Sequence, residues 1–181
     1  MEITFVSINY KTDKQQVHIF LDNIVQQFTD RGVVCNVISP QSWFSKLFKR
    51  KNIRKYKMTF ETERGNKYNV YSPMFTVWPT KKIGKKHLAD CSRTSFFKAV
   101  KRTYKKQKMN ADYIYAHFLQ AGIPAVRFAQ ELNIPSFIAC GEADTVESVE
   151  SISREVIAYT LDKVTGIIAV STKILLAFSR Y

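Results

Sequence analysis

The sequence predicts an α/β protein with a Rossmann-like parallel sheet, helices on both faces, and a basic β-hairpin/helix insertion in the middle. Three observations lead to this prediction. Apolar runs of strand length alternate with helical stripes at both ends of the chain, which is typical of parallel sheets with right-handed crossovers. Hydrophobic residues make up 45% of the 181 positions, enough for one domain with its own core. The basic residues are concentrated between positions 41 and 110.

The first predicted unit is a strand, a helix and a second strand. Residues 3–8 form a short apolar run, and Thr12 or Asp13 in the polar turn after it could cap a helix. The apolar stripe of this helix recurs at three- and four-residue spacings and consists of Val17, Phe20, Leu21, Ile24, Val25 and Phe28. Gly32 is placed to end the helix. Residues 33–39 are apolar at most positions, as expected for a parallel strand covered on both faces.

The middle of the chain is basic and less regular. Residues 41–110 carry 20 Lys and Arg against three Asp and Glu, a net charge of +17, whereas the whole chain carries +13. Residues 55–62 and 67–71 are rich in aromatic and β-branched side chains and flank the sequence ERGN, which predicts a hairpin. A helix is expected from Ser92, with a stripe of Phe96, Phe97, Val100 and Tyr104 and mostly Lys and Arg elsewhere.

From Asp112 the alternation is regular. We predict strands at residues 113–118, 136–140 and 167–170. Between them we predict one helix from Pro124 to about Leu132, because proline suits a first turn, and another from about Val146 to Val164.

The residues just past the predicted strands are the candidate binding residues. Ligands of an open parallel sheet bind in the crevice beyond the carboxyl ends of its strands. The candidates selected there are Asn9, Tyr10, Asp13, His117, Gly141, Glu142, Asp144 and Ser171. The alternative is that these loops are polar only because they face water, and that His117 merely ends its strand and hydrogen-bonds a loop.

Residues 112–172 resemble the N-terminal Rossmann-like domain of glycosyltransferase family 4, which has the two-domain GT-B architecture. The resemblance rests on an Asp-initiated strand ending in His117, the sequence NIP before the next strand, the turn from Gly141 to Asp144, and an apolar strand ending in Val-Ser. It extends to residues 1–40. The chain departs from the family pattern in the loop INYKTD, which lacks paired glycines, and at Cys140, where His or Arg is common.

The resemblance implies transfer of a sugar from a nucleotide-sugar donor to a glycan or lipid-linked acceptor in cell-surface polysaccharide synthesis. It implies that His117 lies near the reacting sugar and that the other candidates contact the acceptor. Residues 1–172 would be the acceptor-side domain and residues 173–181 the start of the connection to a C-terminal Rossmann-like domain, without which we expect no turnover. We expect no cofactor beyond the nucleotide-sugar co-substrate, because the sequence has neither a G-x-G-x-x-G motif nor a P-loop. We expect no metal, because the three His and three Cys lack ligand spacing.

The segment WFSKLFKRKNIRKYK, residues 43–57, combines large apolar side chains with dense positive charge. This combination is typical of a surface that lies on anionic lipid. The residues predicted to face the membrane are Trp43, Phe44, Lys46, Phe48, Lys49 and Arg50. Because the sequence has neither a signal peptide nor an apolar run of about 18 residues, we expect a cytoplasmic protein on the inner face of the membrane.

Two other interpretations of the basic region remain open. The aromatic side chains of residues 43–48 could pack under a loop while the lysines face water. Alternatively, the chain could be a basic single-domain protein that binds nucleic acid or another anionic ligand without catalysis, using aromatic side chains to stack on single strands. The sequence has no helix-turn-helix, zinc-finger or RNA-binding signature, which disfavours nucleic acid.

Overall fold

The computed structural model of the protein describes residues 1–11, 19–44, 53–79, 82–83, 86–141, 152–172 and 176. Its strands are β1 (Glu2–Ser7), β2 (Val34–Ile38), β3 (Gln41–Ser42), β4 (Lys57–Glu61), β5 (Lys67–Tyr71), β6 (Met74–Phe75), β7 (Lys82–Ile83), β8 (Lys86–His87), β9 (Tyr113–His117), β10 (Ser136–Cys140) and β11 (Gly166–Ala169). Its helices are α1 (Ile19–Asp30), α2 (Leu88–Lys106), α3 (Leu119–Leu132) and α4 (Arg154–Lys163).

Seven strands form the main sheet in the order β11-β10-β9-β1-β2-β5-β4. All neighbours in it are parallel except β4, which pairs antiparallel with β5. Counted along the chain, the six parallel strands therefore have the spatial order 3-2-1-4-5-6, which is that of a dinucleotide-type Rossmann sheet. The predicted Rossmann-like fold class is confirmed.

The basic hairpin is confirmed, and half of it belongs to the core of the sheet. Lys57 pairs with Tyr71 and Glu61 with Lys67 across the predicted turn. β5 also pairs in parallel with β2, so it is the third parallel strand rather than part of a separate insertion. Tyr68 and Val70 explain this position, because they are buried side chains at a two-residue spacing in an otherwise polar segment.

Helices cover both faces of the sheet. α1 lies on one face, over an apolar cluster that includes Phe5, Leu21 and Val37. α2, α3 and α4 cover the other face, where Phe97, Tyr104 and Phe128 pack with Ile114 of β9. All four residues of the stripe predicted for α2 are buried.

The predictions for all four helices differ from the structure in part. α2 begins at Leu88 rather than Ser92, and α4 begins at Arg154, after its N-cap Ser153, rather than at about Val146. α3 begins at Leu119, so Pro124 lies in its second turn rather than its first. The helix starts early because its chain follows β9 directly, and the Gly122 N–H donates to the Phe118 carbonyl in the first turn. In α1 the fully buried positions include Asp22, whereas Phe20 is 57% exposed. The stripe of α1 is therefore rotated relative to the prediction.

Candidate active site at the carboxyl edge of the sheet

The strand order places a topological switch point between β1 and β9. Crossovers from β1 proceed toward β2 and β5, whereas those from β9 proceed toward β10 and β11, so the connections leave a crevice at the carboxyl ends of these two strands. Ser7 and His117 end the two strands and are register partners. The sequence-predicted histidine therefore lies at the position where a sheet of this topology binds its ligands.

His117 is 6% exposed and is surrounded by aromatic rings. The Phe118 ring centroid lies 4.2 Å from that of the imidazole, and the Phe20 centroid, at the start of α1, lies 6.1 Å from it. Next to His117, the Ser7 hydroxyl donates to the Asn9 carbonyl at 2.6 Å and holds the loop that follows β1. The imidazole therefore lies, as a hydrogen-bonding group packed among aromatic rings, at the edge where the crevice forms.

The backbone of Phe118 has φ 69° and ψ 151°, a conformation that is accessible to glycine and costly for other residues. Such a residue costs of the order of 1–3 kcal/mol and persists where the surrounding structure determines it. Here the Phe118 N–H donates to the Ala139 carbonyl at 2.8 Å, which ties the residue to β10. The strained backbone lets the chain turn from β9 into α3 directly after His117.

A buried carboxylate holds the loop after β1 against α1 and β5. Tyr10 and Tyr68 donate their hydroxyls to Oδ1 of Asp22 at 2.8 and 2.7 Å. Lys11 and Gln26 donate to Oδ2 at 2.7 and 2.6 Å. The Lys11 ammonium also lies 4.8 Å from the centroid of the Phe60 ring, a cation–π distance. We call these five residues, without Phe60, the Asp22 cluster.

The protonation states in the Asp22 cluster follow from these contacts. Burial alone would raise the pKa of Asp22, but the hydrogen bonds from Lys11, Tyr68 and Tyr10 outweigh it, so the pKa is lowered. Burial raises the pKa of Tyr10 and of Tyr68, and the neighbouring carboxylate raises both further. At neutral pH the cluster therefore contains an ionised carboxylate with protonated tyrosine donors.

The structure brings some of the predicted acceptor-contact residues to one edge. Asn9 is exposed beside the switch point, Gly141 follows β10, and Ser171 follows β11 two strands from β9. Tyr10 is only 2% exposed and its hydroxyl is engaged by Asp22, which gives it a supporting position in the loop. Asp13, Glu142 and Asp144 lie outside the described residues. Acceptor contact by any of these residues stays a prediction.

Two of the predicted membrane-facing residues are described. Trp43 is 51% exposed and Phe44 46% exposed. The other predicted members, Lys46, Phe48, Lys49 and Arg50, lie outside the described residues. None of the helices in the described part of the chain is long and apolar enough to span a bilayer.

Sequence reasoning missed the Asp22 cluster and Arg54. One signal was available for Asp22, which is an acidic residue between Leu21 and Val25 on the apolar side of a predicted helix. Arg54 had no signal, because it is one of many cations in its segment. Among the residues that the structure covers, no group of three His, Cys, Asp or Glu side chains is placed to hold a metal ion.

This chain is similar to known proteins in its fold. No protein-family model matches the sequence, and no curated protein sequence matches it. A structure of sucrose-phosphate synthase from Thermosynechococcus elongatus has a TM-score of 0.61 at 14% identity, over 100% of this chain and 82% of that chain. A longer chain of the same enzyme has a TM-score of 0.63 at 11% identity, over 99% of this chain.

This chain spans 45% of that longer sucrose-phosphate synthase chain. At such low identities the likeness shows the fold alone. The class that the fold defines is the Rossmann-like α/β sheet found in GT-B glycosyltransferases.

Proposed function

We propose that this chain is the acceptor-side domain of a glycosyltransferase of family 4 type. The observation that carries the proposal is the position of His117, oriented at the switch point of a Rossmann sheet next to Ser7. In this proposal a nucleotide sugar is the donor, a second Rossmann-like domain binds most of it, and the acceptor is a glycan or a lipid-linked sugar in cell-surface polysaccharide synthesis.

The chemistry proposed for His117 is hydrogen bonding to a hydroxyl of the reacting sugars. A neutral imidazole has one donor and one acceptor nitrogen, so it can orient a hydroxyl or take part in moving its proton. The Phe118 ring packs against the imidazole at a centroid distance of 4.2 Å, and the Phe20 ring lies 6.1 Å away. A group packed in this way contributes by positioning, provided the acceptor hydroxyl lies within hydrogen-bond reach.

The test is nucleotide release from a panel of nucleotide sugars by the polypeptide that carries this domain together with its donor domain. We expect His117→Ala to lower turnover at least tenfold, about 1.4 kcal/mol of transition-state stabilisation, and His117→Asn to retain more activity because an amide keeps a donor and an acceptor. The matched control is Tyr159→Ala, which removes a ring that is 50% exposed on α4. Unchanged turnover in a folded His117→Ala protein would remove His117 from the site.

We also propose that Trp43 and Phe44 contact an anionic membrane surface, because both rings are exposed beside a segment of dense positive charge. The expected result is co-sedimentation of the protein with anionic vesicles at low salt, reduced by Trp43→Ser/Phe44→Ser. Binding to single-stranded oligonucleotides but not to vesicles would instead favour the nucleic-acid interpretation.

A further inference from the structure

Arg54 is held in place at the carboxyl edge of the sheet by contacts to its backbone and its side chain. Its backbone N–H donates to Oε1 of Gln41 at 2.9 Å, and its carbonyl accepts from Nε2 of the same amide at 2.7 Å. Its guanidinium donates to the Ser39 hydroxyl at 2.7 Å and to the Pro40 carbonyl at 3.1 Å. Ser39 and Pro40 directly follow β2, so the guanidinium lies where ligands of such a sheet bind.

The contacts of the Arg54 guanidinium are to neutral groups. Both side-chain acceptors are neutral, and within the described ranges no Asp or Glu forms an ion pair with the guanidinium. Burial lowers the pKa of Arg54 to about 10, so the group stays a cation at neutral pH. The Arg54 side chain is partly buried, and a cation that is partly removed from water is costly without a partner of opposite charge.

Two further features of the surroundings of Arg54 concern Ser72 and the remaining N–H groups of the guanidinium. The Gln41 amide also donates to the Ser72 carbonyl at 3.1 Å, so Ser72, which follows β5, belongs to the same group. The Ser72 hydroxyl is buried and has no hydrogen-bond partner in the part of the chain that the structure covers. Two contacts to the guanidinium leave most of its five donors for another acceptor.

The distance to His117 suits a single substrate. β2 neighbours β1, and β1 neighbours β9, so Ser39 and His117 are separated by two strand spacings along one edge. At about 4.8 Å per spacing this is roughly 10 Å, a distance that one sugar ring and its linkage can cover.

We propose that Arg54 binds a phosphoryl group of the acceptor. A forked guanidinium matches the oxygens of a phosphoryl group, and the net charge of +17 between residues 41 and 110 favours a multivalent anion. The identification of the anion as part of an acceptor rests on the proposed function. The anion site itself rests only on the geometry around Arg54.

The test is an NMR titration of the 15N-labelled 181-residue protein with inorganic pyrophosphate at constant ionic strength, monitoring the arginine Nε–H signals. We expect the Arg54 signal, identified by its loss in Arg54→Lys, to shift saturably. Arg54→Lys and Arg54→Met should weaken pyrophosphate binding at least tenfold. Arg64→Gln, which removes an exposed arginine in the β4–β5 turn at the opposite edge, is the control and should change binding less than twofold.

Three outcomes would overturn the site. These are an Arg54 signal that does not move, binding by Arg54→Lys equal to that of the wild type, and equal weakening by Arg64→Gln. Acetate that binds as tightly as pyrophosphate would overturn the phosphoryl assignment. Thermal unfolding of each variant without ligand separates loss of binding from loss of fold. Pyrophosphate binding that depends on Arg54, in a protein whose His117 variants retain full transferase activity, would keep this site and reject the proposed role of His117.

Discussion

Asp22 and Arg54 are charged groups near the carboxyl edge of the sheet, the first buried and the second partly buried, and their surroundings differ. Asp22 accepts four hydrogen bonds, one of them from the ammonium of Lys11. Arg54 donates to a hydroxyl and a carbonyl, both of them neutral. Among the residues that the structure describes, the first charge has a partner of opposite charge, whereas the second does not.

This difference separates groups that stabilise the fold from groups that bind ligands. Removing one member of a compensated cluster leaves its partners buried without acceptors, which is expensive. Removing an uncompensated charge also removes its desolvation cost, so stability changes little. The comparison therefore predicts large effects on stability around Asp22 and small ones at Arg54.

The largest expected effect is that of Asp22→Ala. The substitution leaves the ammonium of Lys11 and two buried tyrosine hydroxyls without their acceptor, so we expect a loss of about 3–5 kcal/mol in the free energy of unfolding. Urea unfolding measures this loss. Asp162→Ala is the control, because the Asp162–Lys163 pair is exposed and should contribute less than about 1 kcal/mol. Equal losses in the two variants would mean that Asp22 contributes no more to the free energy of unfolding than an exposed ion-pair residue does.

The next largest expected effect on the free energy of unfolding is that of Tyr68→Phe. The same cluster should also make stability depend on pH. Loss of one hydroxyl donor to a carboxylate should cost about 1.5–3 kcal/mol at neutral pH. The pKa of folded Asp22 lies below its ordinary value of 3.8, so the stabilisation is complete well above that value and disappears as the pH falls through the folded pKa.

Urea unfolding at about pH 6 and about pH 3 tests the sign of this dependence. The difference in free energy between the wild type and Asp22→Asn should shrink toward the lower pH. A difference that grows on acidification would contradict the lowered pKa of Asp22.

The smallest expected effect is that of Arg54→Met on the stability of the protein without ligand. Loss of two hydrogen bonds, each worth about 1 kcal/mol, is offset by removal of a desolvated charge, so we expect a net change within about 1 kcal/mol. Chemical unfolding without pyrophosphate measures the effect of Arg54→Met on stability. Unfolding with pyrophosphate measures ligand binding, because the anion should stabilise only the wild type. A loss as large as that of Asp22→Ala would make Arg54 a structural residue.

Much of the fold could be predicted from local pattern. The strands and helices after Asp112 alternate with clear periodicity, and His117 was selected because it ends one of those strands. β5 was harder to predict as a core strand, because its three buried side chains, Tyr68, Val70 and Tyr71, lie in a region rich in polar and basic residues. Its place in the core depends on pairing with β2.

The environments of Asp22 and Arg54 could not be predicted, for a physical reason. The partners of Asp22 lie at sequence separations of up to 46 residues, so the cluster exists only after β1, α1 and β5 have assembled. Arg54 is partly buried, whereas Lys55 and Lys57 are exposed, and this difference depends on contacts to the Gln41 amide and the end of β2. The environment of Arg54 within this basic segment is therefore determined by tertiary contacts rather than by local sequence.

The strained turn after His117 also bears on how this sequence can change over evolutionary time. A Cβ at position 141 would lie 3.0 Å from the Phe118 ring, closer than most carbon contacts, so a side chain there requires the ring to shift or shrink. Positions 118 and 141 are thus matched in size. Related sequences should change them in concert, with a larger residue at 141 accompanied by a smaller one at 118.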